Sequence, residues 1–288
     1  MILTGGLGTR LLPASKAVPK SLLPVLDVPM VQLGVEELVS SGIHDIIFVV
    51  GPDMEAIQRH FSENIKLDRE IDSRSIPPLD DLNQIISQVK FTFIVQEQPL
   101  GTGHAVLLTE PVVNNEPFLV VLPDDVVQAK QSPLPQMLKQ FNSLNASIIS
   151  AFEVPHKEVN RYGIIRLKES HVGPWLVEEV VEKPSLRNAP SNMAIMGRYL
   201  LTADIFSCLE RTPPGVAGEI WLTDAISILL KEQPLYAHLF NGERHDGGTV
   251  LGLLRMSIEK ALRDKGIQKQ ASHMLKELLQ AHERQVGE

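Results

Sequence analysis

The first half of the chain alternates short, uniformly apolar segments with amphipathic ones. The apolar segments predict buried strands at 1–4, 45–51, 91–95 and 118–122. Between them the spacing of apolar residues predicts helices over 31–41 and 53–61, and another from 103 to 109. Strands that are apolar on both sides are typical of parallel sheets with both faces covered. The sequence therefore predicts an α/β fold in which helices pack on both faces of a parallel sheet.

The second half of the chain is more mixed. Strands are predicted at 147–152, 163–167, 177–182, 193–200 and 236–240, with helices over 203–210 and 222–232. A polar insert at 68–89 carries one predicted helix, with a break at Pro77 and Pro78. We expect one domain over 1–249. The tail over 250–288 is predicted to be helical, and it is either an oligomer interface or packed on its own domain.

The composition argues against several classes of function. The 288 residues carry a net charge of −8, whereas a general binder of nucleic acid or anionic membrane needs a basic surface. Cys208 is the single cysteine, which excludes an intrachain disulfide and fits a reducing compartment. No signal peptide is predicted, and no apolar run approaches the length of about 18 residues that a membrane span needs. We therefore expect a cytoplasmic protein.

The first predicted strand runs directly into a glycine-rich turn that consists of Gly5, Gly6, Leu7, Gly8 and Thr9. Such a turn presents backbone N–H groups to a phosphate, and Arg10 and Lys20 add positive charge nearby. The string matches neither the P-loop nor the dinucleotide-binding fingerprint. It predicts binding of a nucleoside triphosphate, and the alternative is an ordinary glycine turn with a surface arginine.

Two aspartates are candidate metal ligands. Asp124 follows the predicted strand 118–122, and the carboxyl ends of strands are where ligands bind in sheets of this kind. Carboxylates there suit Mg²⁺, which takes one or two of them together with phosphate oxygens. Asp246 precedes two glycines and is either a second metal ligand or a turn former. The pair Asp124-Asp125 is itself common in turns, so a purely structural role is the alternative.

Two further segments carry groups suited to a nucleotide and to a sugar phosphate. Gln96 has an amide that both donates and accepts, as reading a base edge requires, and Gly101 would let a base approach the backbone. Glu182 and Lys183 end a predicted strand, and they suit sugar hydroxyls and a phosphate respectively. A hydrated loop and a strand-end ion pair are the alternatives.

Taken in order, these strings resemble the bacterial UTP–glucose-1-phosphate uridylyltransferases, a branch of the sugar-nucleotide pyrophosphorylases. The resemblance runs over nearly the whole chain. It rests on the segments 6–10, 12–20, 101–107, 122–125, 162–163, 181–184, 189–192, 197–199, 212–215, 222–226 and 245–246. The strings Ala-Pro-Ser-Asn at 189–192 and Thr-Pro-Pro-Gly at 212–215 favour this branch over thymidylyl, adenylyl or guanylyl relatives.

The resemblance implies a Rossmann-like nucleotidyltransferase fold with a mixed, mostly parallel sheet, in which 1–130 bind the nucleotide and 131–249 the sugar phosphate. It implies that UTP and glucose 1-phosphate give UDP-glucose and pyrophosphate, with Mg²⁺ as cofactor, in a homodimer or homotetramer. The implied roles are catalysis by Arg10, Lys20 and Lys183, nucleotide binding by the turn 5–9 with Gln96 and Gly101, sugar-phosphate binding by Gly163, Glu182 and Lys183, and metal binding by Asp124 and Asp246.

Four positions depart from the pattern of the family that the chain resembles. Val28, Leu100 and Val250 stand where lysine is usual, and Trp221 stands where glutamine is usual. The loss of three lysines near the site would weaken the binding of anions. It leaves a low-activity or regulatory paralogue open as an alternative to an active enzyme.

Two other functions are alternatives at this stage. A pyrophosphorylase for dTTP would have the same fold and mechanism. A glycosyltransferase that uses UDP-glucose would also be α/β, but it would need an Asp-x-Asp string where this chain has Pro123-Asp124-Asp125. Arg10, Lys20, Asp124 and Lys183 are all present, which favours an active enzyme, and Arg10 has no evident use in a glycosyltransferase. The strings at 189–192 and 212–215 favour UTP over dTTP.

Overall fold

The computed structural model describes residues 1–52, 55–64, 76–128, 132–169, 173–215 and 218–286. The strands in chain order are β1 Ile2–Leu3, β2 Pro24–Val25, β3 Val28–Pro29, β4 Asp45–Val50, β5 Lys90–Val95, β6 Phe118–Val121, β7 Asp125–Gln128, β8 Ile148–Glu153, β9 Gly163–Leu167, β10 Trp175–Glu182, β11 Met193–Leu201, β12 Tyr236–Leu239 and β13 Glu243–Asp246. Nine of them form one sheet in the order β5-β4-β1-β6-β11-β8-β12-β10-β9. The remaining strands form two pairs, β2 with β3 and β7 with β13.

Helices and short 3₁₀ turns connect these strands. The helices are α1 Met30–Ser40, α2 Glu55–His60, α3 Pro77–Gln88, α4 Gly101–Leu107, α5 Glu110–Val113, α6 Pro133–Leu144, α7 Asp204–Glu210, α8 Leu222–Leu229, α9 Val250–Arg263 and α10 Gln268–Val286. The 3₁₀ turns are Thr9–Leu11, Ala14–Lys16, Lys20–Leu22 and His156–Arg161. Most elements predicted from periodicity are present, with ends shifted by a few residues.

The sheet is mixed, as the resemblance implies, but its parallel part is confined largely to the first half. Strands β5, β4, β1 and β6 are mutually parallel. Strand β11 is antiparallel to β6 and β8, and β10 is antiparallel to β9 and β12, whereas β12 and β8 are parallel. The prediction of a mostly parallel sheet is therefore corrected for the second half. Neighbours such as β9 and β10 are too close in the chain for a crossover helix, so they pair antiparallel.

Alternate side chains of β1 face opposite sides of the sheet. Ile2 packs with Phe48 in a core that helix α1 covers, whereas Leu3 packs with Val49 and Val106 in a second core that helix α4 covers. This alternation is the period of two expected for a strand. It confirms that helices pack on both faces of the sheet.

One prediction about helices is wrong in detail. Pro77 and Pro78 begin helix α3 and do not break it, because a proline in the first turn lacks only an N–H that would have no helical partner. The tail consists of two helices. Asp264 separates them by accepting hydrogen bonds from the N–H groups of Gly266 and Ile267, at 2.7 and 3.2 Å. Residues 68–75 of the predicted polar insert and the start of the predicted helix 53–61 lie outside the described residues.

The first tail helix packs on the domain that precedes it. Met256 of α9 is fully buried against Val25 and Met30, and Nζ of Lys260 lies 2.6 Å from the carboxylate of Asp27. Helix α10 is largely exposed, apart from Ala271. Within the described residues, no helix combines the length and the apolar character needed to cross a membrane.

Candidate active site

The glycine-rich turn passes close over two side chains, and this closeness explains two of its glycines. A Cβ on Gly5 would lie 2.9 Å from Oε1 of Gln96, and one on Gly8 would lie 2.9 Å from Cβ of Lys20. Gly8 also has a φ of 64°, in the left-handed region that favours glycine. A side chain at either position would push the turn away from the residues beneath it.

The other members of the turn leave its backbone accessible. A Cβ on Gly6 would lie 3.3 Å from Cε of Lys20, the side chain of Leu7 is 71% exposed, and Thr9 begins the 3₁₀ turn Thr9–Leu11. The amide groups of this turn therefore offer donors to an anion that approaches from solvent. The turn borders one cavity together with Arg10 and Lys20, which are the two cations that the sequence assigned to a triphosphate.

Lys20 and Asp124 form an ion pair at the carboxyl end of β6. Their side chains are only 18% and 21% exposed, and the ammonium donates to Oδ2 of the carboxylate. Burial alone would raise the pKa of Asp124, but the attraction and hydrogen bond of Lys20, together with the charge of Arg10, lower it below its usual value of 3.8. Asp124 is therefore an anion over the whole neutral pH range.

Asp246 lies on the neighbouring strand pair and is held by two arginines. Its Oδ2 is 2.9 Å from Nη2 of Arg161 and 3.4 Å from Nη1 of Arg10. A Cβ on Gly248 would lie 3.0 Å from Oδ1 of Asp246 and 3.4 Å from Oδ2 of Asp124. The two predicted metal ligands therefore face the same small space, which exists because residue 248 has no side chain.

The donors around this space fit a divalent cation such as Mg²⁺. Two carboxylates, one in the turn between β6 and β7 and one at the end of β13, supply the hard oxygen ligands that this ion prefers, and room remains for phosphate oxygens. A second group of ligand atoms lies elsewhere among the described residues, where those of Glu243, His245 and Glu259 fall within 4.8 Å of one another. These three residues line neither the cavity beside the glycine-rich turn nor the one beside Gly163 and Glu182.

Gln96 and Gly101 lie at the nucleotide side of the same region. Gln96 is 5% exposed, and its amide nitrogen donates to the carbonyl of Gly101 at 3.1 Å and contacts Nδ1 of His104 at 3.0 Å. Gly101 has a φ of 93°, and a Cβ there would lie 2.5 Å from the carbonyl oxygen of Ile220. The glycine is thus required by packing as well as by conformation, and Gln96 holds the loop that carries it.

Gly163, Glu182 and Lys183 come together at the paired ends of β9 and β10. A Cβ on Gly163 would lie 3.2 Å from Oε2 of Glu182, and Oε1 of Glu182 is 3.4 Å from Nζ of Lys183. The backbone N–H of Lys183 donates to the carbonyl of Tyr162 at 3.0 Å. The structure therefore brings together all three residues that the sequence assigned to a sugar phosphate.

The structure adds polar residues that the sequence reading did not select. Arg161 reaches Asp246 as described, and Arg244 donates to the carboxylate of Asp125 and to the hydroxyl of Tyr162. Asp125 also accepts from the N–H of Gly197 at 2.7 Å, which assigns it to a structural role beside Asp124, the predicted metal ligand. The only sequence signal for the arginines is their position directly beside selected strings, at 162–163 and at 245–246.

Two adjoining cavities contain these groups. One of about 540 Å³ is bordered by the glycine-rich turn, Gln96 and Gly101, and one of about 500 Å³ by Gly163, Glu182 and Lys183. The residues that line both are Arg10, Thr102, Leu122, Asp124 and Trp221. A nucleotide on one side and a sugar phosphate on the other would therefore meet beside Asp124 and Arg10.

The fold and this paired site define a nucleotidyltransferase. The sequence model of the family described as nucleotidyl transferase matches residues 1–261, so the chain belongs to that family. UTP–glucose-1-phosphate uridylyltransferase 1 of Staphylococcus saprophyticus is 42% identical over 279 residues, which cover 96% of this chain and 97% of the relative. The resemblance to these uridylyltransferases, seen first in the sequence strings, is confirmed.

Solved structures agree with the sequence comparison. A structure of UTP-bound UGPase from Acinetobacter baumannii has a TM-score of 0.86 and 35% identity, with 96% of this chain and 98% of that one covered. A crystal structure of UDP-glucose pyrophosphorylase complexed with UDP-glucose has a TM-score of 0.83 and 34% identity, with 91% and 98% covered. The predicted fold class and reaction class are both confirmed.

Proposed function

We propose that this protein makes UDP-glucose and pyrophosphate from UTP and glucose 1-phosphate. The proposal rests on the observation that two cavities meet where Asp124, Lys20, Arg10 and Asp246 lie. This junction would bring a nucleotide and a sugar phosphate together at a charged centre. The names of the relatives support the same reaction, since they specify UTP as the nucleotide and glucose 1-phosphate as the acceptor.

In the proposed reaction, a phosphate oxygen of glucose 1-phosphate attacks the α-phosphorus of UTP in line, and pyrophosphate leaves. The nucleophile is already an anion, so the reaction needs no general base. This agrees with the linings of the two cavities, in which none of the described residues is a histidine. Catalysis then consists of positioning the two substrates and neutralising the charge that develops between them.

The residues of the site divide this work among them. Arg10 and Lys20 neutralise the departing pyrophosphate, while the N–H groups of the glycine-rich turn hold the triphosphate. Lys183 binds the phosphate of the sugar, and Glu182 accepts hydrogen bonds from sugar hydroxyls. Gly163 leaves room for the sugar ring. The loop that Gln96 supports, with Gly101, receives the uracil.

Mg²⁺ is the cofactor that we propose for this site. Asp124 and Asp246 would hold it, and the ion would supply charge neutralisation and alignment of the reacting phosphate groups. The residues fit this role, because their carboxylates face one space and are flanked by cations that phosphates would attract.

The decisive experiment is pyrophosphate release by the purified protein with glucose 1-phosphate and Mg²⁺, with UTP, dTTP, ATP and GTP supplied in parallel. Release with UTP alone is the expected result. Release with dTTP instead would keep the mechanism but replace the nucleotide. If none of the four nucleotides gives pyrophosphate release, the regulatory paralogue is favoured over the enzyme.

The positions where lysines are usual in the family do not argue for an inactive protein. Val28, Leu100 and Val250 line neither of the two cavities. Val28 is 7% exposed in the β2–β3 hairpin, and Val250 is 63% exposed at the start of α9. These three positions lie outside the surface that would contact the substrates. We therefore infer that the lack of lysines there does not impair catalysis.

We also propose that the tail, 250–288, joins copies of the chain into a homodimer or homotetramer. Met274 and Leu278 lie four residues apart on α10, and with Leu279 they are 53–62% exposed, so they form an apolar stripe that a second copy would cover. The single cysteine and the metabolite substrates fit a cytoplasmic location.

Light scattering tests the assembly. The unaltered protein is expected to have the mass of two or four chains, and the double variant Leu278→Glu/Leu279→Glu is expected to dissociate, because two buried charges would oppose the interface. Gln280→Glu, on the same helix, is the matched control and should keep the original mass. A single-chain mass for the unaltered protein, or an intact oligomer in the double variant, would refute the proposed interface.

A further inference from the structure

Trp221 lies where the two cavities of the site meet, and its ring contacts the lysine that we assign to the sugar phosphate. Nζ of Lys183 is 3.7 Å from the centroid of the indole ring. The carboxylate of Glu182 lies 3.4 Å from the same nitrogen. The ammonium is thus held between an aromatic face and an anion, well inside the distance of about 6 Å at which cations attract aromatic rings.

The backbone of Lys183 is fixed, but its side chain depends on these neighbours. The residue has a φ of 42°, its N–H donates to the carbonyl of Tyr162 at 3.0 Å, and Pro184 follows it. The side chain is 44% exposed, and a lysine side chain has several rotatable bonds. The position of the ammonium is therefore determined by Trp221 and Glu182, and not by the strand end itself.

The segment that carries Trp221 is tied to the nucleotide side of the site. The N–H of Ile220 donates to the carbonyl of Leu100 at 2.8 Å, and the carbonyl of Ile220 accepts from Gly103 at 2.8 Å. The N–H of Leu222 reaches the hydroxyl of Thr102 at 3.3 Å. Trp221 is consequently anchored on the loop that would bind the base, while its ring reaches the group that would bind the sugar phosphate.

We propose that Trp221 is a positioning residue that holds the ammonium of Lys183 at the junction of the two cavities, ready for the phosphate of the sugar substrate. The proposal rests on the proposed function. The phosphate binds the side of the ammonium that the ring leaves exposed, so the contact with the ring persists in the complex and its loss weakens binding. Without the ring, Lys183 would sample many positions, and binding the sugar phosphate would have to order it.

Steady-state kinetics test this role. Trp221→Leu is expected to raise the KM for glucose 1-phosphate about 5- to 30-fold, which corresponds to the loss of a partly desolvated cation–π contact. The KM for UTP should stay within about twofold of its original value, and Trp221→Phe should restore most of the loss because it retains a ring. Trp175→Phe, at the start of β10, is the matched control and should change neither constant.

Fluorescence gives a second test that needs no turnover and no variant of Trp221. The chain has two tryptophans, so in Trp175→Phe the emission comes from Trp221 alone. UDP-glucose should change this emission as its phosphate binds the ammonium that contacts the ring, whereas UMP, which lacks the sugar phosphate, should not. Adding Lys183→Met should abolish the response to UDP-glucose.

Three results would overturn the proposal. The first is a KM for glucose 1-phosphate that Trp221→Leu leaves unchanged, and the second is an equal rise in both KM values, which would mean that the residue only supports the base loop. The third is a fluorescence response that persists without Lys183. These results differ from failure of the proposed function, in which the unaltered protein would release no pyrophosphate with UTP. The fluorescence test remains decisive if Trp221→Leu fails to fold.

Discussion

Replacing Lys20 by methionine is expected to lower kcat/KM for UDP-glucose synthesis roughly 10²- to 10³-fold, as the loss of one preorganised charge at a reacting phosphate does. Methionine keeps most of the apolar length of the side chain and removes only the ammonium that would neutralise the departing pyrophosphate. Pyrophosphate release over a range of UTP and glucose 1-phosphate concentrations gives the measurement. Lys90→Met is the matched control, because Lys90 is 75% exposed and forms a surface pair with Asp45 at 3.2 Å.

The same replacement should also change the pH dependence of the reaction. Burial raises the pKa of Asp124, and the attraction and hydrogen bond of Lys20, a backbone hydrogen bond and the charge of Arg10 together more than compensate for it. Without Lys20 its attraction and its hydrogen bond are both lost, so the pKa of Asp124 rises and the carboxylate is protonated at higher pH. The acid limb of the pH–rate profile should therefore move towards neutral pH. Full turnover in Lys20→Met, or a comparable loss in Lys90→Met, would contradict the assigned role.

Replacing Arg198 by methionine is expected to lower the free energy of unfolding by about 3–5 kcal/mol, the usual result of removing one partner of a buried ion pair. Arg198 is 2% exposed on β11, and its Nη2 lies 2.6 Å from Oε2 of Glu37 on α1. It also donates to the carbonyls of Leu122 and Gly197, both at 3.0 Å. Methionine would leave the Glu37 carboxylate without its countercharge. Urea unfolding followed by circular dichroism measures the change.

A double variant separates the cost of the unpaired charge from the cost of lost packing. Glu37→Leu/Arg198→Met should recover part of the stability, because two apolar side chains leave no buried charge unpaired. Recovery should be incomplete, since the hydroxyl of Ser132 donates to Glu37 at 2.7 Å and would lose that acceptor. Arg166→Met, at an exposed pair between β9 and β10, should change stability by at most about 0.5 kcal/mol. Equal losses for Arg166 and Arg198 would contradict this account.

Local features of the sequence were enough to predict the strands and most helices and to select the candidate site residues. The apolar segments have the lengths of buried strands, and in the structure the alternation of side chains along β1 places Ile2 and Leu3 in the cores on opposite faces of the sheet. Gly8 and Gly101 were selected because a ligand would need to approach them, and their φ values of 64° and 93° show that the fold needs them as well. The matching strings also revealed the family correctly.

Local reasoning was less successful where two signals competed. A proline pair suggests a break in a helix, yet at Pro77 it begins one. Proline is compatible with the first turn of a helix and also ends helices, so the residue type alone does not distinguish the two. The spacing of apolar residues in the tail predicted helix but did not specify the turn, capped by Asp264, that divides the tail into two helices. The second half of the sheet was harder to assign because strand direction depends on which neighbour each strand meets.

Contacts between distant parts of the chain depend on the folded structure, and they complete the site. Lys20 meets Asp124 across 104 residues, Arg244 meets Asp125 across 119, and Arg198 reaches its partner across 161. Strand β13 pairs with β7, and this places Asp246 opposite Asp125. No local pattern encodes such contacts, because each forms only when two separate elements of the chain pack against each other. The periodicity of the chain thus specified its elements and its glycine turn, while the packing of those elements created the charged junction.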